Sequence, residues 1–391
     1  MSTNGHEGTV RPGTTNENFD TANAPAEPVQ DTATPGRGET LTEAEVWWRD
    51  RQVWLAERGY MLRPRYRPGW KPSWKGTTKR SWQVEDGIPP KSPYVLDATR
   101  TSDQKLVMLK QISKELHPFE VEIGQFFSTE PRSSDSRNHC VPILEVLQDP
   151  IDEDYQIIVM PLLRLQNSPP FETVGEILEL FKQMFEGLHF MHEHRVAHRD
   201  VMILNVMMDP EPLFPDMYHP IKYNRTRDLR GKAKHRSRTE RPTRYYLTDF
   251  GLSRKYTAED PSPREYPIIG GDPTVPEFQG DKELEPSNPF PTDVYYAGNL
   301  IREEYLNLYL RLEFMNNLVE DMTQVDPTRR PAMTDVVSRF QEIISGLSPM
   351  LLRSRLPSRE ENMVTRLLYD VKHAIFTAGY ILRRVPAVPR P

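Results

Sequence analysis

The sequence predicts an α+β fold, with antiparallel strands gathered in one stretch and helices in others, and three observations lead there. Two extended runs, 94–104 and 105–112, meet at Thr101-Ser102-Asp103-Gln104 and read as two strands joined by a turn. Further apolar runs at 141–147 and 155–163 add strands close by. Longer helical patterns follow at 173–194 and 351–382.

From the N-terminus, residues 1–40 are rich in Thr, Asn, Gly, Pro and Glu. They carry too little apolar surface to offset the entropy of ordering, so a disordered tail is expected. Thr42 and Glu45 then have capping-box spacing, and Val46, Trp47, Val53, Trp54 and Leu55 make an apolar stripe that stops before Gly59. One amphipathic helix is predicted there. It opens an extension, 41–93, whose second half sets Trp70, Trp74 and Trp82 among prolines and basic residues. Such tryptophans either stack on single-stranded nucleic acid or pack an extended segment onto a neighbouring surface. The net charge of −6 and the acidic pI near 6.0 favour packing and argue against a nucleic-acid partner.

Cys140 is the only cysteine of the 391 residues, which excludes a disulfide framework and fits a reducing, intracellular compartment and a packing role for the thiol. Neither a signal peptide nor a run of about 18 apolar residues is present, so no membrane association is expected.

Chemistry concentrates further on. His198-Arg199-Asp200 is followed by Asn205 and later by Asp249-Phe250-Gly251, which supplies a base and two metal-ligand oxygens in the order that phosphoryl transfer needs. Any one of these acidic residues alone would be an ordinary turn or cap; their order and spacing are not. Val275-Pro276-Glu277 and Asp326-Pro327-Thr328-Arg329-Arg330-Pro331 lie downstream, and Asp293 precedes an apolar helical run as an N-cap would.

Together these motifs resemble those of the protein kinase superfamily, Ser/Thr type. The resemblance implies a two-lobed kinase-like fold, with a small antiparallel β lobe at 94–165, a larger helical lobe at 166–345 and a helical extension at 346–391. It implies ATP and Mg²⁺ as cofactors and a protein Ser/Thr hydroxyl as acceptor. Asp200 would take the hydroxyl proton, while Asn205 and Asp249 hold the metal. Lys110, in Val107-Met108-Leu109-Lys110, would contact the α- and β-phosphates. Its carboxylate partner would come from the following helix, with Glu122 preferred and Glu120 the other candidate. Met160 would be the gatekeeper, and the Pro161 carbonyl and Leu163 amide would bond adenine. Glu277 would pair with Arg330, and Asp293 would bond the catalytic-loop backbone.

Two residue patterns depart from the family. Where a Gly-rich loop should precede the lysine strand, Asp86-Gly87-Ile88-Pro89-Pro90-Lys91-Ser92-Pro93 carries three prolines, which remove amide donors and restrict closure. Met202 stands two residues after Asp200, where Ser/Thr kinases place a lysine. These departures keep a second function open, a pseudokinase that binds nucleotide or acts as a scaffold. A third, a small-molecule phosphotransferase of the aminoglycoside or choline type, shares the Asp, Asn and Asp placement. In the activation segment, Thr257, Ser262 and Tyr266 lie beside Arg254, Lys255 and Arg264 as candidate phosphoacceptors.

Between Asn205 and Asp249 an insertion at about 211–244 carries nine arginines and lysines from Arg225 to Arg244. It reads as a solvated loop that could dock an acidic partner or serve as a nuclear-import signal in addition to a cytoplasmic location. In the last segment, Leu367, Leu368, Val371, Ile375 and Ile381 form a helical stripe expected to pack on the large lobe, ended by Pro386, Pro389 and Pro391.

Overall fold

The computed structural model describes residues 38–268, 271–280 and 285–391, so the predicted tail lies, except for its last three residues, outside the described residues. The fold is mixed α and β with antiparallel sheets, as the α+β class requires. Helix α1 (Glu43–Asp50) begins with the predicted capping box, in which Thr42 and Glu45 bond each other's backbone. The predicted single helix is nevertheless two, because Arg51 separates α1 from α2 (Gln52–Glu57). The Arg51 guanidinium turns inward, pairs with Asp149 at 2.7 Å and stacks 3.6 Å over the Trp47 ring. Trp48 and Leu55 bury their side chains against the sheet, whereas Val53, counted in the predicted stripe, is exposed.

That sheet has strand order β1-β2-β3-β5-β4 and is antiparallel throughout. Its strands are β1 (Tyr60–Leu62), β2 (Val95–Arg100), β3 (Leu106–Ser113), β4 (Glu145–Gln148) and β5 (Tyr155–Pro161). Alternation along β3 divides the labour: Val107 and Leu109 pack with Trp48, Leu55, Tyr66 and Val159 in one core, and Met108 and Lys110 take the opposite face. The segment joining β1 to β2 is held by side chains. Trp70 donates to Asp86 at 2.9 Å and lies 6.0 Å from Trp74, while Trp82 stays exposed, so packing holds for two of the three tryptophans.

Helix α3 (Glu120–Ser128) crosses from the sheet to a second, larger core built on α4 (Val174–Glu193), whose Thr173 cap accepts from Glu176 N at 3.1 Å. Around α4 lie α5 (Pro289–Ile301), α6 (Asn316–Met322) and α7 (Met333–Ser345). Short strands complete this part: β6 (Arg164–Leu165), β8 (Val206–Met208) and β9 (Tyr245–Leu247) form one sheet, and β7 (Val196–Ala197) pairs with β10 (Arg254–Lys255). Cys140 is buried in the large core, where desolvation pushes its thiol pKa up.

The insertion between β8 and β9 is not simply solvated. Leu213, Phe214 and Tyr218 are buried, and Arg164 stacks 4.5 and 4.4 Å over the Phe214 and Tyr218 rings. Arg238, counted among the basic residues, is also buried and donates to Gln166 O at 2.7 Å. Arg225, Arg227, Lys232, Lys234, Arg236 and Arg241 remain exposed, as does Arg230, which lies 3.6 Å from Asp228.

His219 in this insertion is buried, and its Nδ1 accepts from Ile221 N and Lys222 N at 3.1 and 3.2 Å. Burial, with Arg63 and Lys222 nearby, lowers its pKa from 6.5 to about 4. Because the unfolded chain binds the proton more tightly, this histidine's contribution is complete above about pH 6.5 and is lost as pH falls towards 4, up to about 3 kcal/mol. Urea titrations between pH 7 and 4 should therefore show a smaller acid loss for His219→Asn, whose amide oxygen can accept the same two bonds; an identical pH slope would remove His219 from the account.

The C-terminal segment departs further from expectation. A short α8 (Pro349–Leu352) and a long α9 (Met363–Leu382) are separated by ten non-helical residues. The predicted stripe of α9 does not pack inward: Leu367, Leu368, Val371, Ile375 and Ile381 are all exposed. After α9 the chain returns to the start of α4, where a Cβ on Gly175 would collide with the Ala387 carbonyl. Among the described residues no helix is long and apolar enough to cross a membrane.

Candidate active site

The turn from β7 to β8 carries His198, Arg199 and Asp200, and Asp293 clamps it from below. The Asp293 carboxylate accepts from His198 N at 2.7 Å, Arg199 N at 2.6 Å and His192 Nε2 at 3.0 Å, and is fully buried. Arg199 adopts φ +67°, a left-handed conformation that the two amide bonds help to hold. The predicted N-cap role fails, because α5 starts earlier, with Asn288 capping Phe290 N at 3.0 Å. Asp293 therefore acts from within the helix as a loop support.

Asn205 donates to the Asp200 backbone carbonyl at 2.9 Å and to Asp200 Oδ2 at 2.7 Å. Asp200 Oδ1 is buried without a hydrogen-bond partner among the described residues. Burial, and next the nearby Asp249 charge, raises the Asp200 pKa against the opposing effect of His198. A carboxylate with one oxygen fixed and the other unengaged is suited to accept a proton.

Asp249 follows β9 in a left-handed conformation, φ +67° and ψ +77°, which aims its side chain across the gap to β3. Its Oδ1 accepts from Lys110 Nζ at 2.9 Å and Gly251 N at 3.3 Å. Burial opposes ionisation, but Lys110 and Gly251 N–H outweigh it and hold the Asp249 pKa below the usual range. Phe250 buries its ring between Phe127 and His198, at centroid distances of 6.4 and 5.8 Å. That contact anchors the turn on α3.

Lys110 reaches a second carboxylate, Glu120 Oε1, at 2.5 Å. This corrects the preference for Glu122, which is exposed. Helix α3 buries Glu120, Ile123, Gly124 and Phe127, the i, i+3, i+4, i+7 face, and two residues of helix turn Glu122 about 200° away from Glu120. Burial works against the Lys110 ammonium, yet Glu120 and Asp249 together raise its pKa. Glu120, 2 % exposed, is itself pushed up by burial.

The remaining sequence candidates lie around this pair. Met160 sits opposite Met108 and Pro161 opposite Val107 at the end of β5, with Leu163 buried just beyond. The 86–93 stretch is tied to the outer side of the sheet: Arg65 donates to Asp86 O at 3.1 Å, Arg63 to Ile88 O at 2.7 Å and Trp48 to Pro93 O at 3.1 Å. Met202 contributes a backbone bond, its carbonyl accepting from Asn205 N at 2.9 Å. Glu277 and Arg330 form the expected pair, with contacts of 2.6 and 2.8 Å, and Thr292 Oγ1 adds a third bond at 2.7 Å.

Sequence reasoning missed Glu265. Its carboxylate lies 3.5 Å from Arg199 and accepts from the Tyr256 hydroxyl at 3.1 Å, so Arg199 already meets an anion from the 254–268 segment. No short motif marked it; only the folded return of that segment brings it to Arg199.

Among the described residues no group of three or more His, Cys, Asp or Glu has metal-binding geometry. The oxygens of Asp249 and Asn205 are nevertheless hard donors of the kind that bind Mg²⁺ when ligand phosphates complete the shell. The arrangement thus combines a proton acceptor, a cation held by two carboxylates, and two oxygen donors. No protein-family model and no curated protein matches the chain.

Proposed function

We propose that the chain is a protein kinase that transfers the γ-phosphoryl group of ATP to a protein Ser or Thr hydroxyl. In this reading the five-stranded sheet with α3 is the small lobe of a kinase-like fold and the part built on α4 is the large lobe. The observation that carries it is the convergence of Lys110, Glu120 and Asp249 into one ion-paired group, beside an Asp200 that Asn205 orients.

Lys110, positioned by Glu120, would contact the α- and β-phosphates, and the backbone of Pro161 and Leu163 would receive adenine beside Met160. Asp249 and Asn205 would hold Mg²⁺, which when bound neutralises phosphate charge. Asp200 accepts the proton as the hydroxyl oxygen bonds to the γ-phosphorus and the bond to the bridging oxygen of ADP breaks. Arg199, paired with Glu265, ties the loop to the segment on which a peptide would lie, and the Glu277 and Arg330 pair fastens that segment to the helical part. Met202 supplies no charge to the transferred group, which predicts a slow enzyme. The exposed middle of the basic insertion suits an acidic partner.

One observation favours a pseudokinase instead: the anchoring of 86–93 by Arg65, Arg63 and Trp48 keeps that stretch from folding over the phosphates. Transfer of labelled γ-phosphate to a generic protein substrate by the wild-type chain, lost in Asp200→Asn, separates the two. Label transfer that persists undiminished in the variant would remove Asp200 from the mechanism, and none from either protein would favour the scaffold.

A further inference from the structure

Helix α9 is mounted with its polar side towards the protein. Asp370 pairs with Arg355 and Arg311 at 3.0 and 2.9 Å, His373 Nε2 contacts Arg353 O at 2.7 Å, and the Tyr380 hydroxyl meets Ser237 Oγ at 3.2 Å. The aliphatic side faces out, with Leu367 and Leu368 each 65 % exposed, Ile375 70 % and Leu382 85 %. Together with Val364 and Val371 these residues fall within an arc of about 100°, the width of a face that normally meets a core. Arg366, Asp370 and Lys372 all lie outside that arc.

We propose that this face pairs with the same face of a second copy of the chain, the two α9 helices running antiparallel across a two-fold axis near His373. Size complementarity supports that occupant. With the axis at His373, Val371 meets the partner's Ile375, Leu368 the partner's Ala378, Leu367 the partner's Gly379 and Val364 the partner's Leu382. Two of these four contacts, Leu368 with Ala378 and Leu367 with Gly379, set a large residue against a small one, and the other two join aliphatic side chains. The space is there, because a Cβ built on Gly379 meets nothing within 4 Å. Charge agrees. Exposed Glu360 precedes α9 and exposed Arg384 follows it, so an antiparallel pair brings each Glu360 near the partner's Arg384, with Arg359 beside it, and opposes the helix dipoles. A two-fold axis makes every contact occur twice, which suits a self-complementary stripe. A lipid surface fits less well, since an interfacial helix turns its charged side to water whereas α9 uses that side to hold the protein. The pairing is independent of the phosphotransfer reading.

Sedimentation of the full chain between micromolar and 100-micromolar concentrations tests it. The mass should rise from 45.5 kDa towards twice that value, and Val371→Glu and Ile375→Glu, at exposed positions that leave the fold intact, should each weaken association at least about tenfold. Orientation is read by a spin label on Met363→Cys, Cys140 being buried: antiparallel helices place the two labels about 30 Å apart, parallel ones about 10 Å. A monomer at every concentration, a dimer indifferent to both glutamates, or the short distance would overturn the proposal. So would a monomer whose α9 instead binds phosphatidylserine vesicles.

Discussion

Arg330→Ala is expected to cost roughly 3 to 5 kcal/mol of stability, because it strands a buried carboxylate instead of merely deleting a contact. Glu277 accepts from both terminal nitrogens of Arg330 and from Thr292, and only 5 % of Glu277 is exposed. Burial alone would raise the Glu277 pKa, yet the arginine bonds and then Thr292 bring it below its ordinary value. Without the guanidinium that support goes, and so do the bonds Arg330 makes to Gln324 O and Pro291 O at 2.8 and 3.0 Å. Urea unfolding at neutral pH measures the effect. A paired replacement of both residues by apolar side chains should cost less than Arg330→Ala, since no charge is left buried. A single variant within 1 kcal/mol of wild type would show that the pair is hydrated in solution.

In the proposed reaction, Asp200→Asn should lower phosphoryl transfer by roughly 10²- to 10⁴-fold, the usual value of a positioned general base. The substitution keeps shape and leaves an oxygen for the Asn205 amide, while it removes the basic oxygen that has no partner among the described residues. Nucleotide affinity should stay nearly unchanged, because Lys110, Glu120 and Asp249 are untouched. Single-turnover transfer and equilibrium binding on the same preparation make that separation. Loss of both would mean that the variant disturbs the loop and not the proton transfer.

Much of this arrangement was legible in the residue order. Strands β2, β3 and β5 follow from runs of apolar residues and a clear turn, and α4 from its cap and period. Asp200, Asn205 and Asp249 could be proposed together because their motifs resemble those of protein kinases, although the insertion between Asn205 and Asp249 leaves no local spacing to join them. Strand β1 was not foreseen, since its three residues between a helix and a proline-rich segment are too short to show a period. The choice between Glu120 and Glu122 depended on which face of α3 is buried. The sequence did hold a signal for it: Ile123, Gly124 and Phe127 share the face of Glu120. Asp293 looks like a cap because an apolar run follows it, whereas the helix starts four residues earlier, at Pro289 after the Asn288 cap. The outward stripe of α9 and the folded insertion could not be read locally, because both depend on distant partners, Arg311 and Arg355 for α9 and Arg164 for the insertion. An apolar stripe shows that a face will be covered without saying by what.

In the proposed function, Lys110, Asp249 and Asn205 form a site for a metal-bound nucleotide. Calorimetric titration of ATP into the purified chain, with and without Mg²⁺ and alongside Asp249→Ala, tests it most directly. Saturable binding that strengthens with Mg²⁺ and loses that dependence in the variant is expected. No binding heat at millimolar ATP in the presence of Mg²⁺, from a folded protein, would contradict it.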